Sequence, residues 1–237
     1  MTVSLSALHA RAIVLDIEGT TTPVDFVYQV LFPFARAHVA KYLERREHSV
    51  ACRDAVALLR EEQAVDLSGG DAPPEPIVDF VHWLMDRDRK SRGLKALQGL
   101  IWQDGYRSGE LRGQVYPDVP PALARWQARG LATYIYSSGS VLAQQLIFGS
   151  TAAGDLTQYL RGYFDTGVGP KTSTDSYCRI AESIGVPQPE ILFVSDVFAE
   201  LDAARAADLR TALCVRADGN VPASAHPVVR SFDDIID

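Results

Sequence analysis

The fold is decided by one stretch of the chain, Ala12-Ile13-Val14-Leu15-Asp16-Ile17-Glu18-Gly19-Thr20-Thr21. Its continuous apolar run is typical of a buried parallel strand, and ligands in open α/β sheets bind beyond the carboxyl ends of such strands. In extended geometry, Asp16 and Glu18 would point to the same side, where two carboxylates need a cation such as Mg²⁺ between them. A strand followed by an ordinary polar turn would give the same pattern, so the rest of the chain has to distinguish the two interpretations.

The composition narrows the class of protein. The chain has 237 residues, 47% of them hydrophobic and 22% charged, with a formal net charge of −7. These values predict a globular protein of one domain, or one domain with an insertion, and disfavour a nucleic-acid binder. The three separated cysteines are read as free thiols, and the absence of a long apolar run or a signal peptide favours a cytoplasmic protein without a membrane partner.

The pattern of elements changes twice along the chain. Between residues 24 and 112 there are only apolar stripes at helical spacing, which start near Val27, Val56, Ile77 and Leu94. Afterwards, strand-like runs at 131–136, 191–194 and 211–215 alternate with helical stretches. Strands that alternate with helices indicate βαβ units and a parallel sheet. We therefore predict an α/β core, formed by residues 1–23 and 113–237, that is interrupted by a helical insertion over 24–112.

Three further polar motifs lie after strands or before helices. Ser137-Ser138-Gly139-Ser140 stands between a strand and a helix, where hydroxyls and free N–H groups could bind an anion or where Ser140 could simply cap the helix. Lys171 precedes another helix, and a lysine in that position is often only solvated. Asp196 ends a strand, with Glu200 one helical turn later, which fits either a metal site or a helix cap with a surface acid.

In this order, the motifs resemble the haloacid dehalogenase superfamily, which has an Asp nucleophile, a Ser/Thr, a Lys and a final acidic pair. The runs Asp16–Pro23, Leu94–Trp102 and Tyr134–Ser140, with Phe164-Asp165, are similar to the enolase-phosphatase family of methionine salvage, the acireductone synthases. The resemblance covers residues 12–215. Most phosphatases of the superfamily have Asp at the position of Glu18, so this departure favours the enolase-phosphatases; Ser195 replaces the more usual Gly.

The resemblance implies a Rossmann-like parallel-sheet core with an inserted all-helical cap domain. It also implies a phosphoric monoester hydrolase with enolase activity that binds one Mg²⁺ per chain. The implied substrate is a small phosphorylated diketone, 2,3-diketo-5-methylthiopentyl-1-phosphate. The enzyme would enolise it and then release phosphate through an aspartyl-phosphate intermediate, giving 1,2-dihydroxy-3-keto-5-methylthiopentene.

The family's site residues carry over one by one. Those with a direct role in catalysis would be Asp16 as nucleophile, Glu18 as candidate general acid or base, and Lys171. Ser137, Ser138 and Lys171 would bind the phosphate. The Mg²⁺ ligands would be Asp16, Glu18 and Asp196, with Glu18 using its main-chain carbonyl, and Glu200 would orient Asp196, Lys171 or a metal-bound water.

Other functions stay open at this point. A dehalogenase would share Asp16 and Lys171 but would not need the acidic residues around a metal. A phosphomutase or another small-molecule phosphatase of the superfamily would share every motif. A non-catalytic binding module is expected to have lost the nucleophile or Asp196, and both are present. We further expect a monomer, because the helical insertion shows no obvious apolar seam.

Overall fold

The computed structural model describes residues 2–46, 49–66, 74–89, 91–216 and 224–236. The chain forms two compact units. One unit combines Met1–Val24 with Gly113–Asp237, and the other is the continuous segment Asp25–Arg112. We describe each unit by itself.

A six-stranded parallel sheet forms the centre of the first unit. The strands of the chain are β1 (Val3–Ser4), β2 (Ala12–Leu15), β3 (Ala132–Tyr136), β4 (Leu160–Phe164), β5 (Ile191–Ser195), β6 (Arg210–Cys214), β7 (Val228–Val229) and β8 (Ile235–Ile236). The order in the sheet is β4-β3-β2-β5-β6-β7, and all its pairs are parallel. β1 and β8 pair separately in a two-stranded parallel sheet.

The position of β2 explains its composition. It lies between β3 and β5, and all four of its side chains are completely buried. The chain runs outward from β2 to β3 and β4, and then crosses to β5 on the other side. The strand order therefore reverses between β2 and β5, and such a reversal opens a crevice for ligands at the carboxyl ends of the strands.

Helices flank this sheet and make up the second unit. They are α1 (Phe32–Arg46), α2 (Val50–Asp66), α3 (Ile77–Asp86), α4 (Arg92–Ser108), α5 (Val119–Ala128), α6 (Val141–Gly149), α7 (Thr174–Ile184) and α8 (Phe198–Ala206). Among the described residues between 25 and 112, every regular element is helical. The predicted fold class, a parallel-sheet α/β core with an all-helical insertion, is confirmed.

The helical unit has its own apolar core, which includes Val39, Leu59, Phe80 and Leu97, all of them fully buried. A π-helical segment, Phe26–Leu31, leads into α1. The indole N–H of Trp102 in α4 donates to the carbonyl of Leu31 at 2.8 Å, which satisfies one backbone group near this irregular turn. None of the helices in the described parts of the chain is both long and apolar enough to cross a lipid bilayer.

Two features of the strands differ from the expectation. β4 was not predicted, because Arg161 and Gly162 interrupt its apolar pattern; as an edge strand it is buried less completely than β2. The segments before β2 and after Arg216 gave no signal in the sequence, yet they supply β1, β7 and β8. Strands of two residues are too short to show any periodicity.

Candidate active site

Asp16 directly follows β2 and lies at the carboxyl edge of the sheet. Its side chain is buried, with 4% of the residue exposed, and its N–H donates to the carbonyl of Val194 in β5 at 3.0 Å. The ammonium of Lys171 forms a hydrogen-bonded ion pair with Asp16 Oδ1. The structure thus brings together a carboxylate and a lysine that are 155 residues apart in the chain.

The chain leaves the extended conformation just after Asp16. It bends at Ile17, whose carbonyl accepts the N–H groups of Thr20, Thr21 and Thr22 at 3.2, 2.9 and 2.8 Å. The chain is therefore not extended at Glu18, so the argument from strand geometry for a common direction of Asp16 and Glu18 does not apply. Glu18 is half-buried in the turn. Its carboxylate still interacts electrostatically with the ammonium of Lys171 and with neighbouring carboxylates.

Gly19 makes room for a carboxylate. Its φ of +73° favours glycine, and a Cβ built on it would lie 2.2 Å from Oδ2 of Asp196. Asp196 follows β5, the neighbour of β2, so its carboxylate packs against the turn that follows Asp16. The glycine of the opening motif is explained by this close approach.

Glu200, in the first turn of α8, connects two groups of the site. Its Oε2 accepts from Lys171 Nζ at 2.7 Å and from the hydroxyl of Ser195 at 2.9 Å. The Ser195 hydroxyl in turn accepts the N–H of Val197 at 3.1 Å. Of the predicted partners of Glu200, the structure thus shows Lys171, and it gives Ser195 a role that a glycine could not have.

Two tyrosines that sequence reasoning missed hold the loop of Lys171. The hydroxyl of Tyr136 donates to the carbonyl of Gly169 at 2.9 Å, and that of Tyr177 donates to the carbonyl of Lys171 at 2.6 Å. Both rings are fully buried and contact each other edge to face. In the sequence they fit ordinary apolar positions, so no signal distinguished them from core residues.

The serine motif lies at the end of β3, next to β2. Ser137 is buried; its N–H donates to the carbonyl of Phe164 at 3.1 Å, and its Oγ accepts the N–H of Gly139 at 3.1 Å. Ser138 is exposed. Ser140 caps α6 by accepting the N–H of Ala143 at 3.3 Å. The capping interpretation thus holds for Ser140, while no residue in the described ranges accepts the hydroxyl hydrogen of Ser137 or contacts the hydroxyl of Ser138.

Arg216 was also missed, because it follows the last predicted strand and has no local partner. Its Nε and Nη2 donate to the carbonyl of Thr20 at 2.9 and 2.7 Å, and its Nη1 pairs with Asp118 at 2.6 Å. Its guanidinium also lies over the ring of Tyr116, 4.3 Å from the centroid. Arg216 therefore anchors the turn between Asp16 and Thr22 through the carbonyl of Thr20.

Burial makes the negative charges of this cluster costly. It raises the pKa of Asp16 to about 7, although the ammonium of Lys171 acts in the opposite direction. The pKa of Glu18 and that of Asp196 are raised too, again chiefly by burial. Burial alone would lower the pKa of Lys171, but the carboxylates of Asp16 and Glu200 raise it, so the lysine stays charged. The ammonium of Lys171 by itself leaves much of the negative charge of these carboxylates uncompensated.

A divalent cation fits this arrangement. Among the described residues, no three carboxylate, imidazole or thiolate side chains lie close enough to ligate one ion by themselves. The predicted ligand set, Asp16, Asp196 and the main-chain carbonyl of Glu18, includes only two side-chain ligands and stays a prediction. Mg²⁺ commonly takes one or two carboxylates and fills its octahedron with water and substrate oxygens.

The comparisons with known proteins agree with the geometry. A family model described as haloacid dehalogenase-like hydrolase matches residues 10–208. The protein named enolase-phosphatase E1 from Citrobacter koseri is 48% identical over 225 residues, which cover 95% of this chain and 96% of that protein. The protein of the same name from Synechococcus elongatus is 49% identical over 231 residues, covering 94% and 96%.

Solved structures show the same fold. The crystal structure of the UTR4 protein from Saccharomyces cerevisiae has a TM-score of 0.78 and 32% identity, covering 94% of this chain and 99% of that one. A dehalogenase structure has a TM-score of 0.53 at 20% identity over 95% of each chain, a likeness of fold alone. The chain therefore belongs to the haloacid dehalogenase-like hydrolases and, within them, to the family of the enolase-phosphatases.

Proposed function

We propose that this chain is a Mg²⁺-dependent enolase-phosphatase that acts on 2,3-diketo-5-methylthiopentyl-1-phosphate. The observation that carries the proposal is the convergence of Asp16, Lys171 and Asp196 at the reversal of the strand order, in a chain whose relatives of 48–49% identity bear that name. A dehalogenase would have no use for the acidic surroundings of Asp16.

Enolisation is the first step of the proposed reaction. A base removes a proton from the carbon that carries the phosphate, and the neighbouring carbonyl oxygen takes up the electron pair. Glu18 is the proposed base, because burial raises the pKa of its carboxyl and so makes the carboxylate a better proton acceptor. When bound, Mg²⁺ supplies Lewis-acid polarisation and offsets the repulsion between carboxylate and phosphate.

Phosphoryl transfer is the second step. The carboxylate of Asp16 attacks phosphorus in line, the bond from phosphorus to the substrate oxygen breaks, and the released oxygen takes a proton. Water then attacks the phosphorus of the aspartyl phosphate and frees both phosphate and Asp16. Lys171 holds Oδ1 of Asp16, which orients the carboxylate and places a positive charge where the transferring group gains negative charge.

The remaining predicted residues support these steps. Ser137 and Ser138 are proposed to donate hydrogen bonds to the phosphate oxygens. Asp196 and the main-chain carbonyl of Glu18 are proposed to hold Mg²⁺ together with Asp16. Glu200 positions Lys171 through their contact at 2.7 Å. We assign residues 24–112 the role of a helical cap, since this segment is inserted between the nucleophile and the serine motif.

The test is turnover of the diketo phosphate with and without Mg²⁺, followed by enol absorbance and phosphate release in the same sample. We expect wild type to release phosphate only with Mg²⁺, and Asp16→Asn to accumulate enol phosphate without releasing phosphate. Hydrolysis of simple sugar phosphates, with no reaction of the diketone, would instead identify a general phosphatase, and their isomerisation would identify a phosphomutase. The predictions of a monomer and of a cytoplasmic location stay predictions.

A further inference from the structure

A buried glutamine lies behind the serine motif. Gln144, in the first turn of α6, is completely buried, and its Nε2 donates to two main-chain carbonyls, those of Gly139 and Phe164, each at 2.9 Å. Its amide orientation is fixed by this contact, because the opposite assignment would set Oε1 against two carbonyl oxygens. The same Phe164 carbonyl also accepts the N–H of Ser137.

The unsatisfied side-chain oxygen of Gln144 indicates that this glutamine does more than fill space in the core. Gln144 Oε1 is buried and has no hydrogen-bond partner among the described residues. Buried polar atoms are nearly always satisfied, so an apolar side chain would avoid this penalty if Gln144 only filled space. What an apolar side chain could not supply is the pair of donors to the carbonyls of Gly139 and Phe164.

Those donors set the direction of a peptide unit in the serine motif. In a trans peptide the carbonyl and the following N–H point in opposite directions, and the described chain has no cis peptide. With the Gly139 carbonyl held against Gln144, the N–H of Ser140 faces away from it. Among the described residues, neither this N–H nor that of Ser138 has a hydrogen-bond partner. A carbonyl turned outward in their place would repel an anion.

We propose that Gln144 is a positioning residue, which holds the Ser137–Ser140 loop with its donors, rather than its carbonyls, toward the phosphate of the substrate. This inference rests on the proposed function, since it concerns the same site. It assigns Gln144 no contact with the substrate. The loop binds the phosphate in the ground state and in the transition state alike. Loss of its orientation therefore weakens phosphate binding and raises KM more than it lowers kcat.

The experiment is calorimetric titration of inorganic phosphate into the protein in the presence of Mg²⁺. We expect Gln144→Met, which keeps the size of the side chain, to raise the Kd for phosphate about tenfold, as the loss of a hydrogen bond worth ~1.4 kcal/mol would. KM for the diketo phosphate should rise in parallel, with kcat changed less. Gln144→Asn keeps the amide but is shorter, so its phosphate Kd should lie between those of wild type and Gln144→Met. This variant provides the test if Gln144→Met does not fold.

Two control variants separate positioning from stability. Ile147→Val removes a buried methyl from the same helix, and Gln127→Met removes an exposed amide-to-carbonyl bond of 3.0 Å. Both should leave the phosphate Kd unchanged, although Ile147→Val lowers Tm. If Gln144→Met and Gln144→Asn lower Tm but bind phosphate like wild type, the proposed role of Gln144 is refuted. If wild type itself neither binds phosphate nor releases it from the diketo phosphate, the proposed function fails instead.

Discussion

Replacement of Gly19 by alanine tests whether the turn after Asp16 and the carboxylate of Asp196 form one unit. An alanine at φ +73° costs about 1–2 kcal/mol of stability, because the left-handed region crowds Cβ. The new Cβ would also lie 2.2 Å from Asp196 Oδ2, so the carboxylate must retreat by more than 1 Å to reach ordinary contact at 3.4 Å. Misplacement of a reacting group by ~1 Å can cost about 10²-fold in rate.

The chain offers a matched control in Gly185, which follows α7 with φ +72° and has open space where a Cβ would lie. Gly185→Ala should therefore lose the same ~1–2 kcal/mol, seen as a fall in Tm of a few degrees, and keep full activity. Gly19→Ala should lose a similar amount of stability, about 100-fold in kcat and, in addition, apparent affinity for Mg²⁺.

The assay is phosphate release as a function of Mg²⁺ concentration, with thermal unfolding of the same samples. If the two alanine variants match in kcat and Mg²⁺ dependence, Asp196 does not depend on the turn, and the close approach described for Gly19 has no part in catalysis. If Gly185→Ala also loses activity, the loss in Gly19→Ala reflects strain rather than displacement of Asp196.

Three further substitutions test the network around Asp16. Lys171→Met should lower kcat by about 10²–10³-fold in a phosphate-release assay, because it removes the positive charge beside the nucleophile; an unchanged kcat would contradict that role. Ser195→Ala should lower the free energy of unfolding in urea by ~1–3 kcal/mol and kcat only a few-fold, since Glu200 keeps its contact with Lys171. Arg216→Lys should destabilise by a similar ~1–3 kcal/mol, because an ammonium cannot reproduce the planar fork of donors that holds Thr20 and Asp118; urea unfolding equal to wild type would refute it.

The parts of the fold that the sequence predicted are those with a local signal. β2 was predicted because it is buried on both faces and reads as an unbroken apolar run, and the helices of the insertion were predicted by their apolar stripes. β4 was missed because an arginine and a glycine break its pattern at the edge of the sheet. The signal depends on burial, and an edge strand is buried least.

The same limit applies to the site. Asp16 and Asp196 directly follow strands, so their closeness could be predicted from the rule that parallel strands end at one edge, whereas Lys171 lies in the loop before α7 and was assigned through the family resemblance. Gln144 and Arg216 could not be predicted, since each acts through main-chain carbonyls that have no signature in the sequence. Strand geometry could not place Glu18 for a related reason, because two residues of spacing fix a common face only while the strand continues, and the chain turns after Asp16.

The order of the strands in the sheet has a consequence for how the chain folds. During synthesis β2 emerges early, but its neighbours in the sheet begin only at Ala132 and Ile191. β2 therefore has no pairing partner while the helical unit, Asp25–Arg112, is synthesised. The ion pair between Asp16 and Lys171 closes a loop of 155 residues, and contacts of such high sequence separation slow folding. An apolar strand with no partner is prone to aggregate in that interval. We therefore expect the helical unit to reach its native state well before the parallel sheet does, and the nascent chain to need protection around residues 12–15 until β5 has been made.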